Sequence, residues 1–273
     1  MTIRRDLLEK LGIIAGNGAY PRLLADSARK SGVKEIVAAA FTGETDPAFE
    51  QHADVVEWMR VGQLGRLLKF FRAQDVRHAV MAGQIAPKNL FDLRPDLRTL
   101  MLLGKLKQRN AESIFSAVAD ELAKIEVHLL PATTFLEDSL AKAGLMAGQA
   151  LSVHEENDIA LGWTIAKEIA RLDIGQTVVI KNGTVIAVEA LEGTNEVIRR
   201  SGMLAREGGV MVKVAKPNQD MRFDVPVIGV ETVRVAAESR LRVIAIEAGK
   251  TLLLERDAIF ALASCSNISV VAR

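Results

Sequence analysis

"LGIIAGNGAYPRLLADSARKSGVKEIVAAAF", residues 11–41, decides the fold class. The apolar run LGIIAG (11–16) ends in glycine. It leads into LLADSARKSG (23–32), whose apolar spacing is helical and which Gly32 closes. EIVAAAF (35–41) is a second apolar run of strand length. Strand, helix and strand in so short a span form the unit from which parallel sheets are built. The alternation continues through ADVVEWM (53–59), a third strand, the helically spaced VGQLGRLLKFFRAQD (61–75), and the strand RHAVMAG (77–83). A longer helix follows over about 109–124, then the strand EVHLLP (126–131). The class is α/β, with an N-terminal Rossmann-like parallel sheet that presents ligands at the C-terminal ends of its strands.

The second half has a different pattern. HEENDIALGWTIAKEIARLD (154–173) is helical, and QTVVIKNGTVIAVE (176–189) places two β-rich runs around Asn182-Gly183, a hairpin signal. GVMVKVAKP (209–217) and RVIAIEAGKTLLLE (242–255) add strands, and EDSLAKAGLMAGQA (137–150) is the candidate linker. A chain of 273 residues suits two domains, divided as 1–140 and 141–273. It is 49% hydrophobic and 25% charged, enough for a real core, and its net charge of +1 gives no global reason to expect nucleic acid. The single cysteine, Cys265, excludes an intrachain disulfide framework and is expected to be a small buried hydrophobe. The first residues, MTIRRDLLEKLGIIAGNG, hold no apolar run of signal-peptide length, and no stretch approaches the roughly 20 apolar residues of a spanning helix. The expectation is a cytosolic protein, at most attached to a membrane surface.

Four stretches carry candidate chemistry. AGNGAYP (15–21) puts Gly16, Asn17 and Gly18 between a strand and a helix, where backbone N–H groups favour an anion. Pro21 stands where a dinucleotide fingerprint needs its third glycine or alanine, and no acid ends the second strand, so NAD is disfavoured. A tight strand-to-helix turn with Pro21 in the first helical turn is the plainer reading. MAGQIAPKNLFDLRPDLRTLMLLGKLKQR (81–109) ends its strand in Gly83-Gln84, followed by Lys88. Its Leu97, Leu100, Met101, Leu103 and Leu106 alternate with Arg98, Lys105, Lys107 and Arg109. Such a helix either packs its leucines inward or lies on an anionic lipid surface.

In EALEGTNEVIRRSG (189–202), Thr194 is a candidate N-cap beside Gly193 and Asn195, at a helix start able to hold phosphate. Glu189 and Glu192 are either metal ligands or turn residues. KPNQDMRFDVPVIG (216–229) places Asp220, Arg222 and Asp224 at every second position, on one face if the segment is extended. With Lys213, Lys216 and Gln219 it offers the carboxylates and cations that phosphoryl chemistry uses, against the alternative of a salt-bridged strand face. The histidines His52, His78, His128 and His154 show no zinc spacing, and neither Gly-x-Ser-x-Gly nor Walker A is present.

AGNGAYP, LDIGQTVVIKNGTVIAVEALEGTNEVIRR and KPNQDMRFDVPVIGVETV together resemble the LpxI family, the UDP-2,3-diacylglucosamine pyrophosphatases of lipid A synthesis. The resemblance spans about residues 11–262. It implies a Rossmann-like N-terminal domain, a C-terminal α/β domain of its own topology, and a substrate held between them. It further implies Mg²⁺-dependent hydrolysis to UMP and 2,3-diacylglucosamine 1-phosphate, work at a membrane surface, and a homodimer. Asp224 would be catalytic, supported by Asp220 and Arg222. Gly16, Asn17, Gly18, Gly83, Gln84, Lys88, Gly193, Thr194, Asn195, Lys213, Lys216 and Gln219 would bind substrate, and Asp224, Asp220, Glu189 and Glu192 would ligate the metal. The family commonly reads EGTD and AGGG where this chain has EGTN and AGNG. Asn195 keeps an oxygen acceptor but loses the charge, which counts against a metal role there. The competing expectations are a hydrolase of a non-acylated nucleotide sugar and a non-catalytic nucleotide-sugar or lipid-binding protein.

Overall fold

A computed structural model describes residues 8–85, 95–107, 110–217 and 219–273. The chain forms two compact units, one of residues 1–137 with 220–224, the other of 138–219 with 225–273.

The first unit is built on β1 (Lys10–Ala15), β2 (Glu35–Phe41), β3 (Val55–Met59), β4 (His78–Ala82) and β5 (His128–Leu129). Their order is β3-β2-β1-β4-β5 and every pairing is parallel. The unbroken apolar runs of β1 and β2 follow from burial on both faces: Ile36 to Ala40 are fully buried. The helices are α1 (Tyr20–Lys30), α2 (Leu64–Ala73), α3 (Leu97–Lys105) and α4 (Ala111–Ala123). Helix α1 takes Pro21 in its first turn and ends before Gly32, at φ +99°. Asp96 and Asn110 cap α3 and α4, accepting from the N–H groups of Thr99 and Ser113. The core gathers Ile14, Val37, Met59, Leu68, Phe71 and Leu122.

The second unit holds a six-stranded mixed sheet that starts from β6 (Gly144–Ala147) at one edge, in the order β6-β13-β11-β9-β7-β8. Its centre is three parallel strands, β9 (Gly209–Lys213), β11 (Leu241–Ile246) and β13 (Ser269–Ala272). The hairpin β7 (Thr177–Lys181) and β8 (Thr184–Val188) extends one side. Asn182 and Gly183 both have positive φ, the geometry that turns of the Asn-Gly type require. The two turn amides donate to buried Asp158, which lies in α5 (Val153–Arg171). Helices α6 (Thr194–Ala205), α7 (Val230–Glu238) and α8 (Arg256–Cys265) complete the unit, with β10 (Val227–Ile228) pairing with β12 (Leu252–Leu253). One core, with Met211, Ile228, Ile244 and Ile259, fills one face of the sheet; another, with Ile159, Val178 and Val212, fills the face under α5.

Three expectations need correction. Part of the 137–150 segment is not linker but β6 (Gly144–Ala147), the antiparallel edge beside β13. Its alternation is short and interrupted by glycines, so only pairing with β13 fixes it as a strand. Cys265 is exposed at the end of α8, because helical spacing puts Ile259 and Ala263 on the buried face instead. The extended 220–224 strand does not form; residues 221–223 are a turn. No helix among the described residues is long and apolar enough to cross a membrane.

Candidate active site

In the first unit the ends of β1 and β4 lie side by side, where the strand order reverses direction and parallel sheets place their ligands. The two following loops join: Gly16 N–H donates to Ala82 O (2.7 Å), Asn17 N–H to Gln84 O (2.7 Å), and Gln84 N–H back to Asn17 O (3.2 Å). A Cβ on Gly16 would sit 2.8 Å from the Gln84 backbone, and one on Gly83 2.7 Å from Asn17 O. Both glycines are therefore required by the mutual approach of the loops. Gly18, at φ +88°, faces open space and serves the turn into α1. Nothing in the sequence marks Thr45, yet its buried hydroxyl donates to Ala15 O (2.5 Å) and accepts from Phe41 N–H (2.8 Å), tying β1 to β2. Lys88, together with Arg109, lies outside the described residues.

The turn of residues 220–224 packs with this unit. Asp224 N–H donates to Asp220 O (2.9 Å), closing the turn, and Ala132 N–H donates to Met221 O (2.7 Å). The Phe223 ring lies 5.8 Å from Phe115 of α4. Asp220 starts the turn as aspartates do, its Oδ1 accepting from Arg222 N–H at 3.0 Å. The Arg222 guanidinium then grips the same carboxylate, with Nη2 to Oδ2 at 2.6 Å. That hydrogen bond holds the Asp220 carboxyl below the usual carboxylate range against the opposing effect of burial. Period-two spacing thus brought together an acid and an arginine that do meet, by a local turn and not across a strand face. Asp224 is half-buried at the end of the turn.

The second unit assembles the other motifs. Gly193, at φ +82°, is the N-cap of α6, so Thr194 is its first helical residue and not the cap. Its hydroxyl donates to Glu189 Oε1 (2.8 Å) and accepts from Lys213 Nζ (2.9 Å). Glu189 Oε2 accepts from Gln176 N–H (3.1 Å), and Lys213 also donates to Val227 O (3.1 Å). Both charged side chains are buried, which demands such partners. Asn195 follows Thr194 in the first turn of α6. Glu192 accepts from Ala190 N–H (3.1 Å) and from Arg200 (2.6 Å). Burial works against its charged form, but hydrogen bonds from the backbone and from Arg200 outweigh it and lower its pKa.

Lys216 donates its N–H to Gln219 Oε1 (2.7 Å) and its ammonium to Asp173 (2.6 Å). Gln219 Nε2 is buried without a protein partner among the described residues, a donor suited to a ligand. The supports of this loop, Lys167 and Glu247, escape a reading by motif. Lys167 Nζ donates to Ala215 O (3.0 Å) and Glu247 Oε2 (2.6 Å), and the same Glu247 oxygen accepts from Ala215 N–H (2.8 Å). They are 80 residues apart in sequence.

The candidate metal ligands fall into both units: Asp220 and Asp224 in the first, Glu189 and Glu192 in the second. Among the described residues no three acidic, histidine or cysteine side chains are grouped as a metal cage. Every oxygen of Glu189 and Glu192 accepts from a protein donor. The 220–224 turn suits instead the sparse carboxylate site that Mg²⁺ shares with substrate phosphates. Asp220 and Asp224 are the two carboxylates that this turn offers.

Two family models match the chain, the LpxI N-terminal domain over residues 10–139 and the LpxI C-terminal domain over 142–271. The chain belongs to the LpxI family. It is 32% identical over 269 residues to the UDP-2,3-diacylglucosamine pyrophosphatase LpxI of Caulobacter vibrioides, with 94% of each chain covered. The 220–224 turn lies within the C-terminal LpxI model by sequence, yet within the N-terminal unit by packing.

Proposed function

We propose that this chain is a UDP-2,3-diacylglucosamine pyrophosphatase, hydrolysing the substrate's pyrophosphate to UMP and 2,3-diacylglucosamine 1-phosphate with Mg²⁺. The observation that carries the proposal is the similarity, over 94% of both chains, to the Caulobacter vibrioides enzyme of that name. A phosphoric anhydride concentrates negative charge that grows on the leaving phosphate, so cations near it lower the barrier. Lys216 and the Gln219 Nε2 donor are assigned to phosphate oxygens, and Arg222 holds Asp220 in the ionised state. Asp224 is assigned the proton of the attacking water, on the strength of the RFD motif that it closes within the LpxI C-terminal match. Bound Mg²⁺ would supply charge neutralisation at the phosphates, and the carboxylate-bearing 220–224 turn is the segment that would hold it.

Work at the cytoplasmic membrane face and assembly as a homodimer belong to the same proposal. Leu97, Leu100 and Met101 of α3 are 72%, 53% and 54% exposed, beside Lys105, a face suited to an anionic lipid surface. Cosedimentation with anionic vesicles and light scattering test these points. The deciding experiment incubates the protein with acylated and non-acylated UDP-glucosamine, with and without Mg²⁺. Metal-dependent release of UMP and acylated sugar phosphate from the acylated substrate is expected. Binding without turnover, or equal turnover of both sugars, would overturn the assignment.

A further inference from the structure

From residue 138 onward the chain belongs to the second unit except for the five residues that carry Asp220 and Asp224. Each stem of this excursion is held within the second unit by a buried charged side chain. On the returning stem, Lys213 donates to Val227 O, and Val227–Ile228 pairs with β12. On the departing stem, Val214 N–H still donates to Gln176 O (3.0 Å), but the next residue leaves the sheet. Ala215 is fully buried, so its peptide groups need partners. Both come from side chains: Glu247 takes the N–H and Lys167 serves the carbonyl, while the two side chains bond each other at 2.6 Å. Glu247 follows Ile246, which pairs with Lys213, so the clamp stands just beyond the last β9–β11 pair. Its other oxygen meets Lys250 at 2.9 Å, and Lys167 lies 5.9 Å from the Trp163 ring centroid.

A partly buried ion pair is no cheap source of stability, since apolar residues of similar volume often do as well or better. What it supplies here, and an apolar pair would not, is a fixed direction for both polar groups of one loop residue. We propose that Glu247 and Lys167 are positioning residues for the catalytic turn, fixing at Ala215 the path on which the chain leaves toward Asp220 and Asp224. The proposal rests on the assignment of Asp224 as catalytic.

The test uses the full chain carrying Glu247→Ala, Lys167→Met, Glu247→Gln or Lys167→Arg. Backbone hydrogen exchange over 214–228 is read beside kcat and KM on UDP-2,3-diacylglucosamine. Glu247→Ala and Lys167→Met are expected to raise exchange at 214–224 selectively. They should lower kcat about tenfold or more with KM within about twofold, as small misplacements of reacting groups do. Lys167→Arg and Glu247→Gln, which keep a donor or an acceptor for Ala215, should recover most of that loss. Exchange unchanged at 214–224 in folded Glu247→Ala or Lys167→Met would overturn the clamp. Raised exchange with wild-type kcat would overturn the positioning role. If the wild type fails to turn over the sugar, the assigned activity falls, while exchange still decides whether the clamp exists.

Discussion

Replacing Thr194 by valine conserves shape and removes the one hydroxyl that links Glu189 to Lys213. Two bonds to charged groups disappear, Thr194 to Glu189 at 2.8 Å and Lys213 to Thr194 at 2.9 Å. Each is worth about 1.5–3 kcal/mol when the charged partner is left buried. Glu189 keeps its bond from Gln176 N–H and Lys213 keeps Val227 O, which allows partial relaxation toward each other. The expected loss is therefore about 3 kcal/mol, near the lower end of the summed range. Urea unfolding measures it, but two units need separate probes. The chain has two tryptophans, Trp58 in the first unit and Trp163 in the second. In a Trp58→Phe background, Trp163 fluorescence follows the second unit alone. Thr194→Ser retains the hydroxyl and should lose less than about 1 kcal/mol, since Thr194 is only half-buried. A Thr194→Val loss under about 0.5 kcal/mol, the scale of an ordinary surface change, would refute the buried relay. So would a serine variant as unstable as the valine one.

Asp224→Ala should retain its circular dichroism and melting transition while turnover of the acylated UDP-sugar falls at least about a hundredfold, the scale of general acid–base catalysis. Gly83→Ala forces a side chain onto φ +94° and against Asn17 O, so the first unit, followed by Trp58, should lose about 3 kcal/mol. The Asp220 carboxyl is lowered from 3.8 by Arg222, so its contribution is fully present above that value. It is lost as pH falls through the lower folded value; an NMR titration of Asp220 should show a midpoint below 3.8, moved upward by Arg222→Met.

The parallel sheet was legible because burial on both faces writes itself as unbroken apolar runs, as in β2. The hairpin was legible because Asn182-Gly183 permits positive φ at both central positions. Period two misled at 220–224, where an aspartate turning back onto Arg222 produces the same spacing as a strand face. Thr194 resembled a cap by type and neighbours, but Gly193 took that position and left the hydroxyl to two buried charges. Thr45, Lys167 and Glu247 carry no motif, since their partners come together only when the sheets form.

The turn that packs in one unit while belonging by sequence to the other restricts how such a chain can be divided. A fragment ending near residue 140 would forfeit the Met221 carbonyl opposite Ala132 and the ring beside Phe115. The complementary fragment would carry five residues shaped for a surface it no longer has. Recombination between relatives that joined the front half of one to the back half of another would meet the same obstacle. The 220–224 turn is the piece that has to match the surface it packs on.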